Sequence, residues 1–225
     1  MIKYLVTLLR TYRFEIFLIT ISFNLFSALI FNDVFFTTYI TNLGWLLNVL
    51  AGINLIEKRS VRLLISTLFL ITGFLFGFLL FDQNNQTLTQ LSFGFYFLLY
   101  VIITYEIIKQ IWAIKGVAKD LIYGVMSGYI SLGLVSFFIF LAIEIAVPGS
   151  FSSTFFTDSM TIGEKSDSIL YYSFITLMTI GYGEILPATA TAQKAAILVG
   201  LMGQFYLVII TAVVVGKYMK YANKN

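Results

Sequence analysis

The chain has 225 residues, of which 59% are hydrophobic and 11% are charged, and its formal net charge is +3. Soluble domains carry about 25% charged residues, so this composition and the mean hydropathy of +0.92 indicate an integral membrane protein. Histidine and cysteine are both absent. Their absence excludes serine–histidine and cysteine–histidine catalysis, thiolate and imidazole metal sites, and disulfide bonds.

Six apolar segments are long enough to cross a bilayer as helices, which takes about 20 residues each. The predicted spans are 14–31, 38–56, 61–81, 91–112, 121–147 and 192–216. The first two are separated only by residues 32–37, where no strong hairpin signal is present. The segment 148–191, between the fifth and sixth spans, is too long and too mixed in composition for a simple turn.

The distribution of lysine and arginine predicts the orientation of these spans. Twelve basic residues lie in the four segments that would share one side of the membrane. These segments are the N-terminus, the connection between the second and third spans, the connection between the fourth and fifth, and the C-terminus. The residues are, in chain order, Lys3, Arg10, Arg13, Lys58, Arg59, Arg62, Lys109, Lys115, Lys119, Lys217, Lys220 and Lys224. Only Lys165 and Lys194 fall on the other side. The positive-inside rule therefore predicts a multi-pass protein of the cell membrane with both termini in the cytoplasm and 148–191 outside.

The predicted organisation has five parts. Residues 1–13 are basic and predict an amphipathic helix on the inner membrane surface or, alternatively, the frayed start of the first span. A four-span domain over 14–112 and a cytoplasmic linker over 113–120 follow. A helix–loop–helix domain over 121–216 and a short cytoplasmic tail over 217–225 complete the chain as printed.

The loop between the last two spans contains a short predicted helix followed by a glycine-rich segment. Asp167 and Ser168 are candidate N-caps for a helix over 169–178, which is too short to span the membrane and so predicts a re-entrant helix. The next residues, 179–183, read TIGYG. Non-helical backbone at membrane depth is tolerated only where protein buries it or water reaches it. The glycines at 181 and 183 can adopt positive φ, which would turn successive carbonyl groups to one side.

The TIGYG segment resembles the selectivity-filter signature of potassium channels, whose commonest form has valine where this chain has Ile180. The resemblance covers about 144–216, including YYSFITLMTIGYGEILPATATAQ and GLMGQFYLVIITAVVVG. These stretches are similar to the pore helix, filter and inner helix of tetrameric potassium channels, especially small prokaryotic ones with six spans. The domain at 121–216 is then a pore domain.

This resemblance implies an all-α integral membrane protein with six transmembrane helices per chain. A re-entrant pore helix and a filter loop would lie between the fifth and sixth helices, and four identical chains would form one pore. Potassium ions would be conducted without any cofactor. The expected partners are the other subunits and membrane lipids, with no nucleic acid; the sequence indicates neither a regulatory partner nor a gating stimulus.

The resemblance implies that K⁺ is bound along the TIGYG segment. Thr179 would supply the innermost site through its hydroxyl and carbonyl oxygens. The carbonyl groups of Ile180, Gly181 and Tyr182 would supply the sites above it, and Gly183 completes the signature. Four such ladders of oxygen atoms around one axis would replace the hydration shell of the ion.

Neighbouring residues are expected to support this filter. The ring of Tyr182 would point away from the axis and pack against pore-helix aromatics, Tyr171 and Tyr172. Glu184 stands where most relatives carry aspartate, and it keeps the negative charge on a longer side chain. Met178 stands where many relatives carry threonine, so a hydrogen bond behind the filter would be missing.

Glu144, near the outer end of the fifth span, matches an acidic residue that relatives carry before the outer loop. There it is expected to accept hydrogen bonds from loop amides and to anchor the pore loop. The alternative is that its side chain extends to the membrane interface. Pro187 matches the proline that follows the outer mouth in the family.

The sixth span carries the residues expected to act in gating. The family places a hinge glycine at Gly203; close packing against the pore helix is the alternative there and the favoured interpretation for Gly200. Helical spacing and the family alignment put four residues on the cavity side: Gln204, Leu207, Thr211 and Val215. The polar members of this set suit a water-filled cavity better than lipid.

The fourth span lacks the charge pattern of a voltage sensor, which needs several arginine or lysine residues at three-residue spacing. It has no basic residue before Lys109, so we expect weak or no voltage dependence. Three alternatives to a potassium channel are a carrier or non-selective cation pathway, a non-conducting regulatory subunit, and an intramembrane enzyme. The enzyme is disfavoured because histidine, cysteine and paired carboxylates within a span are lacking.

Overall fold

The computed structural model describes residues 8–29, 31, 41–81, 86–114, 119–153, 156, 160 and 162–222. Parts of all five predicted segments lie outside these residues. They are 1–7 of the N-terminal segment; 30, 32–40 and 82–85 of the four-span domain; 115–118 of the linker; 154–155, 157–159 and 161 of the helix–loop–helix domain; and 223–225 of the tail. The helices and strands are α1 (Arg13–Phe26), α2 (Thr41–Leu55), α3 (Arg59–Phe81), α4 (Gln86–Ala113), α5 (Lys119–Ala146), β1 (Phe151–Ser153), α6 (Ile162–Leu177), β2 (Ile185–Pro187) and α7 (Ala190–Ala222).

Three helices in the described part of the chain are long and apolar enough to cross a membrane. They are Thr87–Ala113, Lys119–Ala146 and Ala190–Lys220, at the positions of the fourth, fifth and sixth predicted spans. The segment Leu43–Leu55 is a shorter apolar helix. Helices α1, α2 and α3 lie where the first three spans are predicted. The protein is therefore mostly helical, and a count of six spans stays a prediction.

The chain divides into two compact units, the first comprising Met1–Ser131 and Lys217–Asn225 and the second Leu132–Gly216. In the first unit a buried amide, that of Asn48, connects three helices. Its Nδ2 donates to the Thr20 hydroxyl (2.8 Å) and to the Phe17 carbonyl (3.3 Å), and its Oδ1 accepts from the Tyr100 hydroxyl (2.6 Å). Because lipid offers no hydrogen bonds, such internal partners specify how α1, α2 and α4 pack.

The second unit contains the loop region and a core of aromatic rings. Phe140 of α5, Phe151 of β1 and Tyr172 of α6 are buried, and their ring centroids lie 5.0–5.3 Å apart. Such tilted and edge-to-face contacts are favourable for aromatic pairs. This ring cluster holds the short helix α6 against the end of α5.

The loop departs from the sequence prediction in two respects. Helix α6 begins at Ile162, so Asp167 and Ser168 lie inside the helix and are not its N-caps. The start of the helix is stabilised by a distant partner, because Lys165 pairs with Glu144 of α5. In addition, β1 and β2 form an antiparallel pair in which Phe151 faces Pro187 and Ser153 faces Ile185. No strand was expected in an all-α protein.

Candidate functional site

Helix α6 ends in a Schellman motif at the first residue of TIGYG. The Ile180 N–H donates to the Ile175 carbonyl (2.9 Å) and the Thr179 N–H to the Thr176 carbonyl (3.0 Å). Thr179 therefore occupies the position after the cap, with φ 57°. Glycine usually fills that position, because positive φ is strained for a β-branched residue. Strained backbone of this kind clusters at functional sites, so the role expected for the Thr179 side chain stays a prediction.

Positive φ then recurs at every second residue. The values are 57° at Thr179, 59° at Gly181 and 91° at Gly183, with ordinary negative φ between them. A Cβ on either glycine would meet no atom within 4 Å, so backbone conformation rather than space demands glycine at both positions. Alternation of this kind can turn successive peptide carbonyls towards one side of the chain. Sequence reasoning anticipated it for the two glycines and missed Thr179.

Residues 178–183 are exposed in the single chain. The exposed fractions reach 41% for Met178, 45% for Ile180 and 71% for Tyr182. Irregular backbone is stable at membrane depth only when protein covers it or water reaches it. One chain by itself therefore leaves this segment incomplete.

The carboxylate of Glu144 is fully buried and ties three parts of the loop together. It accepts hydrogen bonds from the Gly149 N–H (3.0 Å) and the Phe151 N–H (3.2 Å), and Lys165 Nζ lies 3.3 Å from Oε1. The side chain thus turns inward to the loop amides instead of extending to the membrane interface. Sequence reasoning missed Lys165, because no local signal links residues 21 positions apart.

Tyr171 and Tyr172 of α6 have different partners. The Tyr171 hydroxyl donates a hydrogen bond to the Glu184 carboxylate; this bond, then burial and the nearby negative charge, raises the pKa of Tyr171 to about 12. Tyr172 is only 8% exposed and packs against Phe140 and Phe151. In one chain the Tyr182 ring therefore does not pack against both tyrosines. Tyr172 belongs to the core, and the Tyr182 ring is mostly open.

Helix α7 begins with a cap that the sequence analysis did not identify. The Thr189 hydroxyl accepts from the Ala192 N–H (3.3 Å) and lies 3.2 Å from the Ser150 hydroxyl oxygen. A threonine just before a helical apolar run is an N-cap signal that could have been recognised. Backbone pairing continues beside it, because the Ala188 N–H donates to the Ser150 carbonyl (2.8 Å).

Two glycines of α7, Gly200 and Gly203, have opposite surroundings. A Cβ on Gly203 would overlap the carbonyl oxygen of Leu177 at the end of α6, so this glycine allows the two helices to approach closely. A Cβ on Gly200 would meet no atom of the chain within 4 Å. The packing role expected for Gly200 is therefore found at Gly203. The hinge role of Gly203 stays a prediction.

The predicted cavity residues share one exposed face of α7. This face carries Gln204, Leu207, Thr211 and Val215, while the buried stripe carries Ala192, Val199, Gly203, Tyr206 and Ile210. At the upper end of the exposed face, Gln204 Nε2 donates to the Thr179 hydroxyl oxygen (3.4 Å). The structure thus brings one cavity residue to the TIGYG segment and leaves the other three along the helix below it.

Comparison with known proteins assigns this region to a family. Residues 149–220 match the model of a family described as "Ion channel". The match is shorter than half of the chain, and it includes β1, α6, the TIGYG segment, β2 and most of α7. Residues 149–220 are therefore similar to an ion channel domain. The match confirms the resemblance at the level of pore-loop cation channels. No curated protein and no solved structure matches the chain.

The similarity to an ion channel domain supports passive conduction of ions across a membrane. The matched family is not an enzyme family. Channels of this family typically assemble as oligomers in membranes. Assembly would supply the cover that residues 178–183 lack in one chain.

Proposed function

We propose that the chain is one subunit of a homotetrameric, potassium-selective channel of the cell membrane, with both termini in the cytoplasm. The proposal depends on one observation, the alternation of positive φ at Thr179, Gly181 and Gly183 immediately after α6. Carbonyl groups turned to one side form an edge of a cation site, and four such edges would enclose a dehydrated K⁺. The K⁺ ligands would be Thr179, Ile180, Gly181 and Tyr182.

The helix dipole of α6 supports a cation at this place. The C-terminal end of a helix carries a partial negative charge, and α6 ends directly before Thr179. Helix α6 is also too short to span a bilayer, so its negative end would lie within the membrane. A dehydrated cation at that depth would be stabilised by it.

Ion flux from liposomes that contain the purified protein tests the proposal. We expect K⁺ efflux that Ba²⁺ blocks, and much slower flux under a matched Na⁺ gradient. Equal rates for both ions would contradict selectivity and favour a non-selective cation channel. No flux of either ion would favour a non-conducting regulatory subunit.

Two glycine variants make this test specific to the TIGYG segment. G181A places a Cβ on a residue with φ 59°, so we expect conduction to be lost although the space is open. G200A introduces the same Cβ on α7, where negative φ and open space should tolerate it. Both proteins should keep the helical content of the wild type by circular dichroism. Conduction by G181A at the wild-type rate would contradict the proposed filter.

A further inference from the structure

Gln204 of α7 donates a hydrogen bond to Thr179, which suggests a role for Gln204 beyond lining a cavity. Gln204 Nε2 lies 3.4 Å from Thr179 Oγ1, and both residues lie on the exposed side of the second unit. The geometry is made possible by the preceding residue. Gly203 lacks a Cβ, and α7 therefore lies directly against the Leu177 carbonyl, two residues before Thr179.

The backbone at Thr179 explains why its side chain needs such a partner. Positive φ at a β-branched residue is strained, and the Schellman bonds of Ile180 and Thr179 hold the backbone in that state. Those bonds do not fix the side chain, whose hydroxyl could otherwise rotate among staggered positions. A donor from α7 restricts it to the positions in which Oγ1 accepts from Gln204.

We infer that Gln204 is a positioning residue for the innermost cation site, and that it acts by holding the Thr179 hydroxyl. This inference rests on the proposed function. A hydroxyl oxygen has two lone pairs, so Oγ1 can accept from Gln204 with one and face a cation with the other. A hydrogen-bond donor that fixes a ligand atom commonly strengthens the binding of the ion. Loss of the donor should therefore weaken cation binding at this site without unfolding the protein.

The primary test is the block of K⁺ flux by Ba²⁺ in liposomes containing the full chain. Q204M keeps the length of the side chain and removes the amide donor. We expect the half-blocking Ba²⁺ concentration to rise about fivefold, which corresponds to the loss of one hydrogen bond. Q193M removes a glutamine from the outer end of the same helix, where Nε2 donates to the Pro187 carbonyl (3.3 Å). This control should leave Ba²⁺ block within about twofold of the wild type, below the effect of one such bond.

A second variant separates positioning from a general effect on the cavity. T179C replaces the hydroxyl by a thiol, which is a weak acceptor. In the T179C background, Q204M should change Ba²⁺ affinity no further, because the bond is already lost. Where a variant does not conduct, Ba²⁺ binding to the purified assembly is measured by calorimetry. The thermal unfolding temperature should stay at the wild-type value in Q204M, which a merely structural role for Gln204 would not allow.

The outcomes distinguish the two proposals. If the wild type conducts K⁺ and is blocked by Ba²⁺, but Q204M shows unchanged affinity, the role of Gln204 is refuted and the channel function stands. An equal loss of affinity from Q204M in the wild-type and T179C backgrounds also refutes it. If the wild type neither conducts nor binds Ba²⁺, the proposed function fails and the inference fails with it. Should Q204M not assemble, Q204N provides the test, since its shorter side chain ends farther from Thr179.

Discussion

Gly203 of α7 lies against the carbonyl oxygen of Leu177, the last residue of α6, so closely that a Cβ on the glycine would overlap it. This relationship sets the distance between α7 and the start of the TIGYG segment. Backbone atoms cannot move aside as a flexible side chain can. Any side chain at position 203 must therefore displace one helix relative to the other.

The first prediction compares two alanine variants of α7. G203A should lower the free energy of unfolding by about 1–3 kcal/mol, because overpacking forces a backbone shift. G200A should raise it by up to about 1 kcal/mol, because alanine is the better helix former and its Cβ meets no atom of the chain. Thermal unfolding in detergent measures both. Equal stability of the two variants would show that the contact with Leu177 is not rigid.

The second prediction concerns the buried carboxylate of Glu144. E144A removes the acceptor for Gly149 and Phe151 and leaves Lys165 without its partner. We expect a loss of about 3–5 kcal/mol in the free energy of unfolding, as for a broken buried ion pair. K165M should cost less, because the two amide hydrogen bonds to the carboxylate remain. If K165M lowers the free energy of unfolding as much as E144A does, the two amide hydrogen bonds are not the main contribution of Glu144 to stability.

The third prediction uses two buried asparagines of the first unit as a matched pair. Neither amide atom of Asn24 has a hydrogen-bond partner in the described part of the chain, and the side chain is 6% exposed. Leucine has a similar shape, so N24L should raise the free energy of unfolding by about 1–3 kcal/mol. N48L should lower it, because Thr20 and Tyr100 lose a partner. Unfolding in a denaturing detergent measures whether each variant raises or lowers the free energy of unfolding. If N24L lowers it, Asn24 has a hydrogen-bond partner in the membrane.

The fourth prediction concerns the Tyr171–Glu184 hydrogen bond and pH. The bond raises the pKa of Tyr171 above its ordinary value of 10.0, to about 12. Its contribution to stability is therefore fully present below pH 10.0 and is lost as the pH rises through about 12. In spectrophotometric titrations of tyrosinate, the difference between the wild type and Y171F should be one tyrosine whose pKa lies well above 10.0. If the tyrosine that is missing in Y171F has a pKa near the ordinary value of 10.0, the Tyr171 hydroxyl does not donate to Glu184.

The fifth prediction concerns voltage. Helix α4 contains two charged residues, Glu106 and Lys109, and they pair with each other at 2.9 Å. Moving one elementary charge through 100 mV is worth about 2.3 kcal/mol, so a sensor needs several charges of one sign on a moving helix. We expect a nearly flat conductance–voltage curve in planar bilayers. A conductance–voltage curve as steep as that of a channel with several gating charges per subunit would require a voltage sensor outside α4.

The amino-acid sequence by itself determined those features that depend on local composition. Apolar runs predicted the positions of the helices, because a helix satisfies its backbone hydrogen bonds within one segment. The glycines of TIGYG predicted positive φ at 181 and 183, because glycine alone adopts it without strain. The motif and its neighbours also indicated the channel family that residues 149–220 match.

Tertiary structure decided the features that depend on residues far apart in the chain. The ion pair of Glu144 with Lys165 near the start of α6 and the β1–β2 pair depend on partners 21 or more positions away. The assignment of packing to Gly203 instead of Gly200 depends on where α6 ends. Thr179 adopts positive φ because the Schellman bonds hold it, and Gln204 meets it only because two helices touch. Local propensities cannot specify such contacts, since each one requires that distant segments already be packed together.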